Sequence, residues 1–142
     1  MTDWFLNISQ HFTLGEFVPT DRAGFLRLDA WGRTKAITNF GKVAHQLERL
    51  RRDLAEPIKI TSGWRSKEHN RAIGGAVNSD HMSGLAVDFT IDGLAPRAIY
   101  EHCLLMHQQG DLGFDQLIGY TAHVHIGMGD RMRGQAWTTS TP

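Results

Sequence analysis

The sequence contains a single cysteine, Cys103, among its 142 residues. One cysteine excludes an internal disulfide framework and any zinc finger built from several cysteines. Cys103 lies in an apolar stretch, where a buried and unreactive thiol is the usual interpretation. The fold must therefore be held by an ordinary hydrophobic core, and a hydrophobic content of 41% with 21% charged residues is adequate for one.

The chain also lacks a surplus of either charge and a long hydrophobic run. Fifteen Lys+Arg residues balance fifteen Asp+Glu residues, and a dedicated nucleic-acid binder usually carries a basic surplus, so we expect no nucleic-acid partner. No run approaches the roughly eighteen apolar residues of a membrane-spanning helix. The first residues include Asp3 and have neither a basic region nor a long apolar region, so we expect no secretory signal peptide. Nothing in the sequence indicates an oligomeric state.

The length fits one domain, and we expect residues 1–142 to form it, because no repeat or linker divides them. Residues 1–33 mix aromatic side chains with turn formers and show little periodicity. We predict that they wrap around the domain as a segment with short helical turns. Residues 129–142 are rich in Arg, Thr and Ser, and we predict a loosely held tail there.

Hydrophobic periodicity predicts two amphipathic helices and about four short strands, and a hairpin is one way to join the last two strands. The predicted helices cover about Thr38–Leu54 and Pro96–Gln109, with a further short helix at Lys67–Ala72, and the predicted strands cover Ile58–Thr61, Leu85–Ile91, Gln116–Gly119 and His123–Gly127. Since the helices do not alternate regularly with the strands, we predict an α+β fold with a small sheet packed against helices.

The eight histidines make metal or acid–base chemistry worth testing. His81 ends a loop rich in Gly, Asn and Ser, Asp88 lies within a predicted strand, and His125 lies within another. Two imidazoles and one carboxylate, with a fourth position open to water, form a recurrent ligand set for catalytic zinc. An open position lets the metal generate hydroxide near neutral pH and polarise a carbonyl group.

Each of these residues also has an ordinary explanation. Asp88 stands in an apolar strand, where a free charge is costly, and a metal, an arginine or a backbone amide would each compensate it. His81 in a polar loop is usually a solvated side chain. His123 and His125 share one strand face, which predicts either a common site or a hairpin with two exposed histidines.

Three neighbouring residues bear on the same region. Gly84 and Ala86 have minimal side chains at the junction between loop and strand, which permits close backbone approach and lets His81 fold back towards Asp88. Arg65 follows the first predicted strand and can bind a carboxylate through two hydrogen bonds, although an exposed arginine is the commoner case.

These residues carry a family resemblance. The stretch from Ser62 to Phe89 closely resembles the zinc D-Ala-D-Ala carboxypeptidases, and especially the branch of that family common in phage endolysins and other viral murein peptidases. The family signature S-x-H-x-x-G-x-A-x-D is met by Ser79, His81, Gly84, Ala86 and Asp88. The later His-Val-His-Ile is similar to the family's strand that carries the third ligand, and Phe-Asp-Gln-Leu-Ile is similar to the segment that precedes that strand. The stretch His-Phe-Thr-Leu-Gly-Glu-Phe, which starts at His11, is similar to an N-terminal segment of the phage proteins.

The resemblance implies a small α+β domain of the Hedgehog/DD-peptidase type with an antiparallel sheet at the zinc site. It implies that His81, Asp88 and His125 bind one Zn²⁺. It further implies that Arg65 holds a substrate carboxylate or stabilises the oxyanion, and that His123 lies beside the metal as a hydrogen-bond donor. The implied substrate is a peptidoglycan peptide, hydrolysed at an amide bond.

One departure from the family pattern concerns proton transfer. Zinc peptidases need a general base, usually Glu or Asp. Related enzymes often place that acid three residues before the last histidine ligand, where this chain has Ala122, or two residues after the Phe-Asp-Gln-Leu-Ile segment, where it has Tyr120. His123, Asp115 and Asp80 are the remaining candidates for the base.

The resemblance therefore implies a zinc-dependent murein peptidase, a D-Ala-D-Ala carboxypeptidase or endopeptidase that acts in phage lysis or entry. We expect a phage-encoded product made in the cytoplasm and released to the cell wall, or one carried in a virion. The alternative is a catalytically impaired module of the same fold that binds metal or cell wall, which the missing acid favours. A zinc-free structural domain would require all three ligand-type residues to be coincidental.

Overall fold

A computed structural model describes residues 2–140 of the chain, which form helices on a five-stranded sheet. The helices are α1 (Leu14–Phe17), α2 (Arg22–Leu26), α3 (Ala30–Leu54), α4 (Lys67–Ala72) and α5 (Pro96–Gln108), with a 3₁₀ turn at Asp80–Met82, and the strands are β1 (Lys59–Ser62), β2 (Ala86–Thr90), β3 (Gln116–Gly119), β4 (Val124–Gly127) and β5 (Gln135–Thr138). The strand order is β1-β2-β4-β3-β5. The predicted α+β class is confirmed. No helix within residues 2–140 has both the length and the apolar content that crossing a bilayer requires.

The long helix α3 begins at Ala30 rather than at about Thr38, so the predicted start was wrong. Asp29 caps the helix, because its side chain accepts a hydrogen bond from the Gly32 N–H group at 2.7 Å. The first turns lie at the surface, where Trp31 is 70% exposed, and they therefore carry no apolar periodicity. The helix ends as predicted near Leu54, with Ala55 in the left-handed conformation.

The core joins the N-terminal segment to α3 through aromatic rings. Phe17 stacks on Phe40 with centroids 5.0 Å apart, and Phe25 meets the edge of Trp64 at 5.5 Å. The backbone N–H group of Trp64 donates to the Phe17 carbonyl oxygen at 2.8 Å, which fixes the chain just before Arg65. The wrapping segment thus helps to hold the residues that follow β1 in place, although the predicted domain bounds stay a prediction.

The segment from Gly129 onwards contributes strand β5, which the sequence analysis did not foresee. β5 pairs with β3 in parallel, whereas the other strand pairs are antiparallel. The sheet is therefore antiparallel around β2 and β4, as the resemblance implies for the zinc site, and parallel at the β5 edge. The predicted tail is not loosely held over Gln135–Thr138. The signal was weak because β5 is a short edge strand with a mostly exposed burial pattern. Residues 141 and 142 of the predicted tail lie outside the described residues.

The single cysteine occupies the core position that the sequence predicted. Cys103 lies on the buried face of α5 and is 0% exposed. Burial raises the pKa of its thiol to about 12. The thiol is therefore protonated at neutral pH and is not a nucleophile.

Candidate metal centre

Strand register sets Asp88 against His125. β2 and β4 are neighbours in the sheet, and Asp88 and His125 are direct partners across the antiparallel ladder. Directly opposed residues point to the same face, which brings their side chains together. The His125 Nδ1 atom lies 2.9 Å from Asp88 Oδ1, in a hydrogen bond. Asp88 is 8% exposed, so this carboxylate is buried beside its partner.

His81 reaches the same point from the 3₁₀ turn. Its Nδ1 atom lies 2.8 Å from the Gly63 carbonyl oxygen, in a buried hydrogen bond. A carbonyl oxygen only accepts, so Nδ1 carries the proton and Nε2 keeps its lone pair free for a ligand. That Nε2 atom lies 3.5 Å from Asp88 Oδ1. Such a backbone contact is the usual way in which a metal-ligating histidine is oriented.

Gly84 makes the close approach of His81 to Asp88 possible, as its lack of a side chain led us to expect. It adopts φ +82°, in the region that favours glycine. A Cβ atom at this position would lie 2.8 Å from Phe40 Cε1. The turn that returns the chain from His81 into β2 therefore depends on the missing side chain.

The three predicted ligands form one cluster. One ligand atom from each of His81, Asp88 and His125 lies within 4.8 Å of the others. Burial alone would raise the pKa of Asp88, but its interactions with the neighbouring imidazoles of His125 and His81 outweigh burial and hold that pKa below its usual range. Two imidazoles and an ionised carboxylate are the donors that zinc prefers. The residues thus fit a divalent metal, while the ligand assignment itself stays a prediction.

Arg65 lies against the cluster rather than in solvent. Its Nη1 atom donates to Asn70 Oδ1 at 3.1 Å and its Nη2 atom donates to Ser62 Oγ at 3.2 Å. The Nη2 atom also lies 3.8 Å from Asp88 Oδ2, and the side chain is 12% exposed. Burial lowers the pKa of Arg65, against the charge of Asp88, yet a guanidinium remains charged at neutral pH. The common interpretation of an exposed arginine is wrong here.

His123 lies at the outer side of the cluster. Its Nε2 atom is 3.7 Å from Asp88 Oδ2, and its side chain is 21% exposed against 12% for His125. Its ring packs on that of Tyr120, with the centroids 4.7 Å apart. His123 and His125 therefore face one common site, which contradicts the alternative of a hairpin with two exposed histidines.

The two acidic candidates for the base differ in their surroundings. Arg133 binds Asp115 through its Nε and Nη2 atoms at 2.8 and 2.9 Å, and through its backbone N–H group at 2.8 Å. The Arg133 hydrogen bonds outweigh burial and lower the pKa of Asp115 to about 2, so this carboxylate is a weak base. Burial and the charge of Asp115 instead raise the pKa of Asp80.

A cavity of ≈ 730 Å³ contains the whole constellation. The residues that line it include His81, Asp88, His125, Arg65, His123 and Tyr120. Asp80, Asp115, Arg131 and Arg133 line the same cavity. The cluster is therefore open to a ligand, which a catalytic metal requires.

Three contributors to the site escaped the sequence analysis. Asn70 orients Arg65 from α4 and is 3% exposed, but a polar residue in a short helix gives no sequence signal. Arg133 lies in the segment predicted as a tail, so its pairing with Asp115 depends on the parallel strand that was missed. Tyr120 has no sequence signal of its own, because the family pattern marks its position only as the place of a missing acid.

Comparison with known proteins agrees with this geometry. Residues 10–127 match the family model described as Peptidase M15. Over 115 residues the chain is 30% identical to the zinc D-Ala-D-Ala carboxypeptidase of Streptomyces albus G, an alignment that spans 77% of this chain and 40% of that protein. The family-model match over residues 10–127 covers the three clustered residues, Arg65 and the strands β2 and β4. On these grounds the chain belongs to the peptidase M15 family.

Proposed function

We propose that this protein is a zinc-dependent peptidoglycan peptidase. The observation that carries the proposal is the buried cluster of His81, Asp88 and His125, which lines a cavity in a chain of the M15 family. A bound zinc ion would supply Lewis acidity and a nucleophile derived from water near neutral pH. The chain's own residues hold the ligand atoms in place, since the Gly63 carbonyl orients His81 and the strand register orients Asp88 and His125.

Arg65 supplies positive charge at a fixed place in the cavity. Ser62 and Asn70 use one hydrogen bond each and hold the guanidinium in position, which leaves further N–H groups for a ligand. A fixed cation of this kind binds a substrate carboxylate or stabilises an oxyanion without reorganisation during the reaction. His123, at the outer side of the cluster, donates a hydrogen bond to the reacting group.

The relative named above is a D-Ala-D-Ala carboxypeptidase, and this chain spans less than half of its length. We propose a substrate of the same chemical class, an amide bond in murein stem peptides or cross-bridges, cleaved by carboxypeptidase or endopeptidase action. The resemblance to phage endolysins supports a role in phage lysis or entry. In that setting the protein is made in the host cytoplasm and released to the wall, or carried in the virion.

A second candidate is a metal- or wall-binding module without catalytic activity. The observation that favours it is the hairpin turn, where Ala122 and Tyr120 carry no carboxylate. Asp115, committed to Arg133, does not replace that group. A module that binds metal predicts the same metal content as the peptidase and differs from it only in hydrolysis.

The deciding experiment combines metal analysis with digestion of purified sacculi. We expect one zinc per chain by inductively coupled plasma mass spectrometry, and release of peptide fragments whose masses identify the cleaved bond. His123→Ala should retain zinc and lose most of the activity, whereas His45→Ala, the same change at an exposed position of α3, should keep both. Zinc without cleavage of any wall type would favour the binding module. Absence of zinc would refute the metal centre.

A further inference from the structure

Tyr120 is held firmly beside the metal cluster. It follows the end of β3, and its backbone N–H group donates to the His123 carbonyl oxygen at 3.0 Å, which closes the hairpin. Its ring packs on the His123 ring at 4.7 Å with the planes 33° apart. Both contacts come from one neighbour, so Tyr120 and His123 form a rigid pair at the wall of the cavity.

The Tyr120 hydroxyl is free to meet a ligand. Within residues 2–140 this hydroxyl has no hydrogen-bond partner. It is not one of the buried side-chain atoms that lack a partner, so it remains in contact with solvent. The ring lies close enough to Asp88 and Arg65 for both charges to act on the phenol. A phenol both donates and accepts hydrogen bonds. Burial and, to a lesser extent, the charge of Asp88 raise the pKa of Tyr120, so the phenol is protonated at neutral pH. The cavity thus contains a preorganised neutral donor next to the cluster.

The structure assigns Tyr120 as a catalytic residue, whose phenol donates a hydrogen bond to the scissile carbonyl oxygen as that oxygen gains negative charge. The assignment rests on the proposed peptidase function. Arg65 and Tyr120 then stabilise the developing oxyanion together. Arg65, which follows β1, supplies a cation, and Tyr120, in the hairpin between β3 and β4, supplies a neutral hydrogen-bond donor. Because a hydrogen bond to an oxyanion is stronger than one to a neutral carbonyl, this donor acts mainly on the transition state.

The expected effect of deleting the hydroxyl is large and specific. Loss of one oxyanion donor costs about 10²–10³ in kcat in a well-studied protease. Tyr120→Phe should therefore lower kcat by roughly 100-fold and change KM by less than about threefold, because the removed interaction forms chiefly in the transition state. The ring remains in this variant, so its packing on His123 and the hairpin should be preserved.

The chain offers a matched control, since Tyr100 is its other tyrosine. Tyr100 is 7% exposed on α5 and packs against Gly119, outside the residues that line the cavity. Tyr100→Phe removes the same atom from the core and should keep the wild-type kcat. All three proteins are compared with zinc bound, and zinc content and circular dichroism confirm that each is loaded and folded.

Two readouts separate this assignment from the proposed function. The first is kcat on the muropeptide bond that the wild type cleaves, and the second is equilibrium binding of a D-Ala-D-Ala phosphinate, whose oxygens mimic the oxyanion. Weaker phosphinate binding and lower kcat in Tyr120→Phe alone would support the assignment. Wild-type values for both in Tyr120→Phe would overturn it and leave the peptidase intact. If the wild type binds the phosphinate but cleaves no muropeptide, the phosphinate affinities of wild type and Tyr120→Phe alone test the assignment. If the wild type neither binds the phosphinate nor cleaves, both the assignment and the proposed peptidase function are refuted.

Discussion

Substitution of Gly84 by alanine should destabilise the protein by steric and conformational strain together. Gly84 has φ +82°, and an L-residue in the left-handed region costs roughly 1–2 kcal/mol. The added Cβ would also lie 2.8 Å from Phe40 Cε1 and 3.2 Å from the Ala36 carbonyl oxygen. Phe40 is 0% exposed, so its ring cannot move into solvent. Overpacking of this kind costs typically about 1–3 kcal/mol, and the sum predicts a loss of about 2–5 kcal/mol.

Gly93 provides a control that separates the two contributions. It has φ +84°, and a Cβ atom there would meet nothing within 4 Å. Gly93→Ala should therefore cost only the conformational strain, roughly 1–2 kcal/mol. The gain from restricting the unfolded chain is the same for both variants and cancels in the comparison. Urea unfolding of the metal-free proteins, followed by circular dichroism, measures the difference, which should be about 1–3 kcal/mol.

The same pair of variants tests how Gly84 positions the metal ligands. Gly84 lies between His81 and Asp88, so Phe40 should push the turn outwards and separate the two ligands in Gly84→Ala. We expect weaker zinc binding in Gly84→Ala and unchanged binding in Gly93→Ala, measured by competition with a chromogenic chelator. Equal unfolding free energies for the two variants would refute the packing argument. Equal zinc affinities would refute the positioning argument, even if the stabilities differ.

Two further predictions concern carboxylates. Asp88→Ala should abolish stoichiometric zinc in the folded protein, whereas Asp92→Ala, at an exposed position, should retain it; zinc retained by Asp88→Ala would contradict the ligand assignment. Asp115→Asn should lose about 1–2 kcal/mol at pH 7, because Arg133 lowers the pKa of Asp115 to about 2 and the partly exposed guanidinium is screened by solvent. A lowered pKa stabilises the folded protein at pH values above the unfolded value near 4, and this stabilisation is lost as the pH falls towards 2. The difference in unfolding free energy between wild type and variant, measured by urea unfolding, should therefore shrink over that range. A difference that is unchanged at pH 2.5 would contradict this account.

The predictable parts of the fold were those with strong local signals. α4 and β3 have the predicted bounds. α5 begins where predicted and ends only one residue earlier. It could be predicted this closely because Pro96 and Gly110 stand at the two ends of its periodic apolar face. The start of α3 was missed because a helix whose first turns face solvent shows no periodicity. β5 was missed because parallel pairing at a sheet edge depends on a distant strand, β3, and not on its own sequence. Local patterns thus predict elements, whereas edge pairing is a tertiary property.

For the site, residue types and spacing pointed to His81, Asp88 and His125, and the structure brings them together. The partners that hold them were not predictable in the same way. The carbonyl of Gly63 is a backbone group with no sequence signal, and the role of Asn70 follows only from where α4 packs. These contacts form between segments far apart in the chain, so that they exist only in the folded state.

The arrangement of the site explains how ligand residues can be kept while the usual acid is absent. Asp88 and His125 are fixed by the β2–β4 register, and a slip of one residue would turn one of the side chains to the other face. Tyr120 and Ala122 lie in the turn between β3 and β4, outside that register, and turns tolerate substitution better than paired strands. A tyrosine in place of an acid at position 120 therefore leaves the metal ligands in place. It changes the group that interacts with the charge on the reacting oxygen. The kcat of Tyr120→Phe and the zinc content therefore report on separate properties of the same cavity.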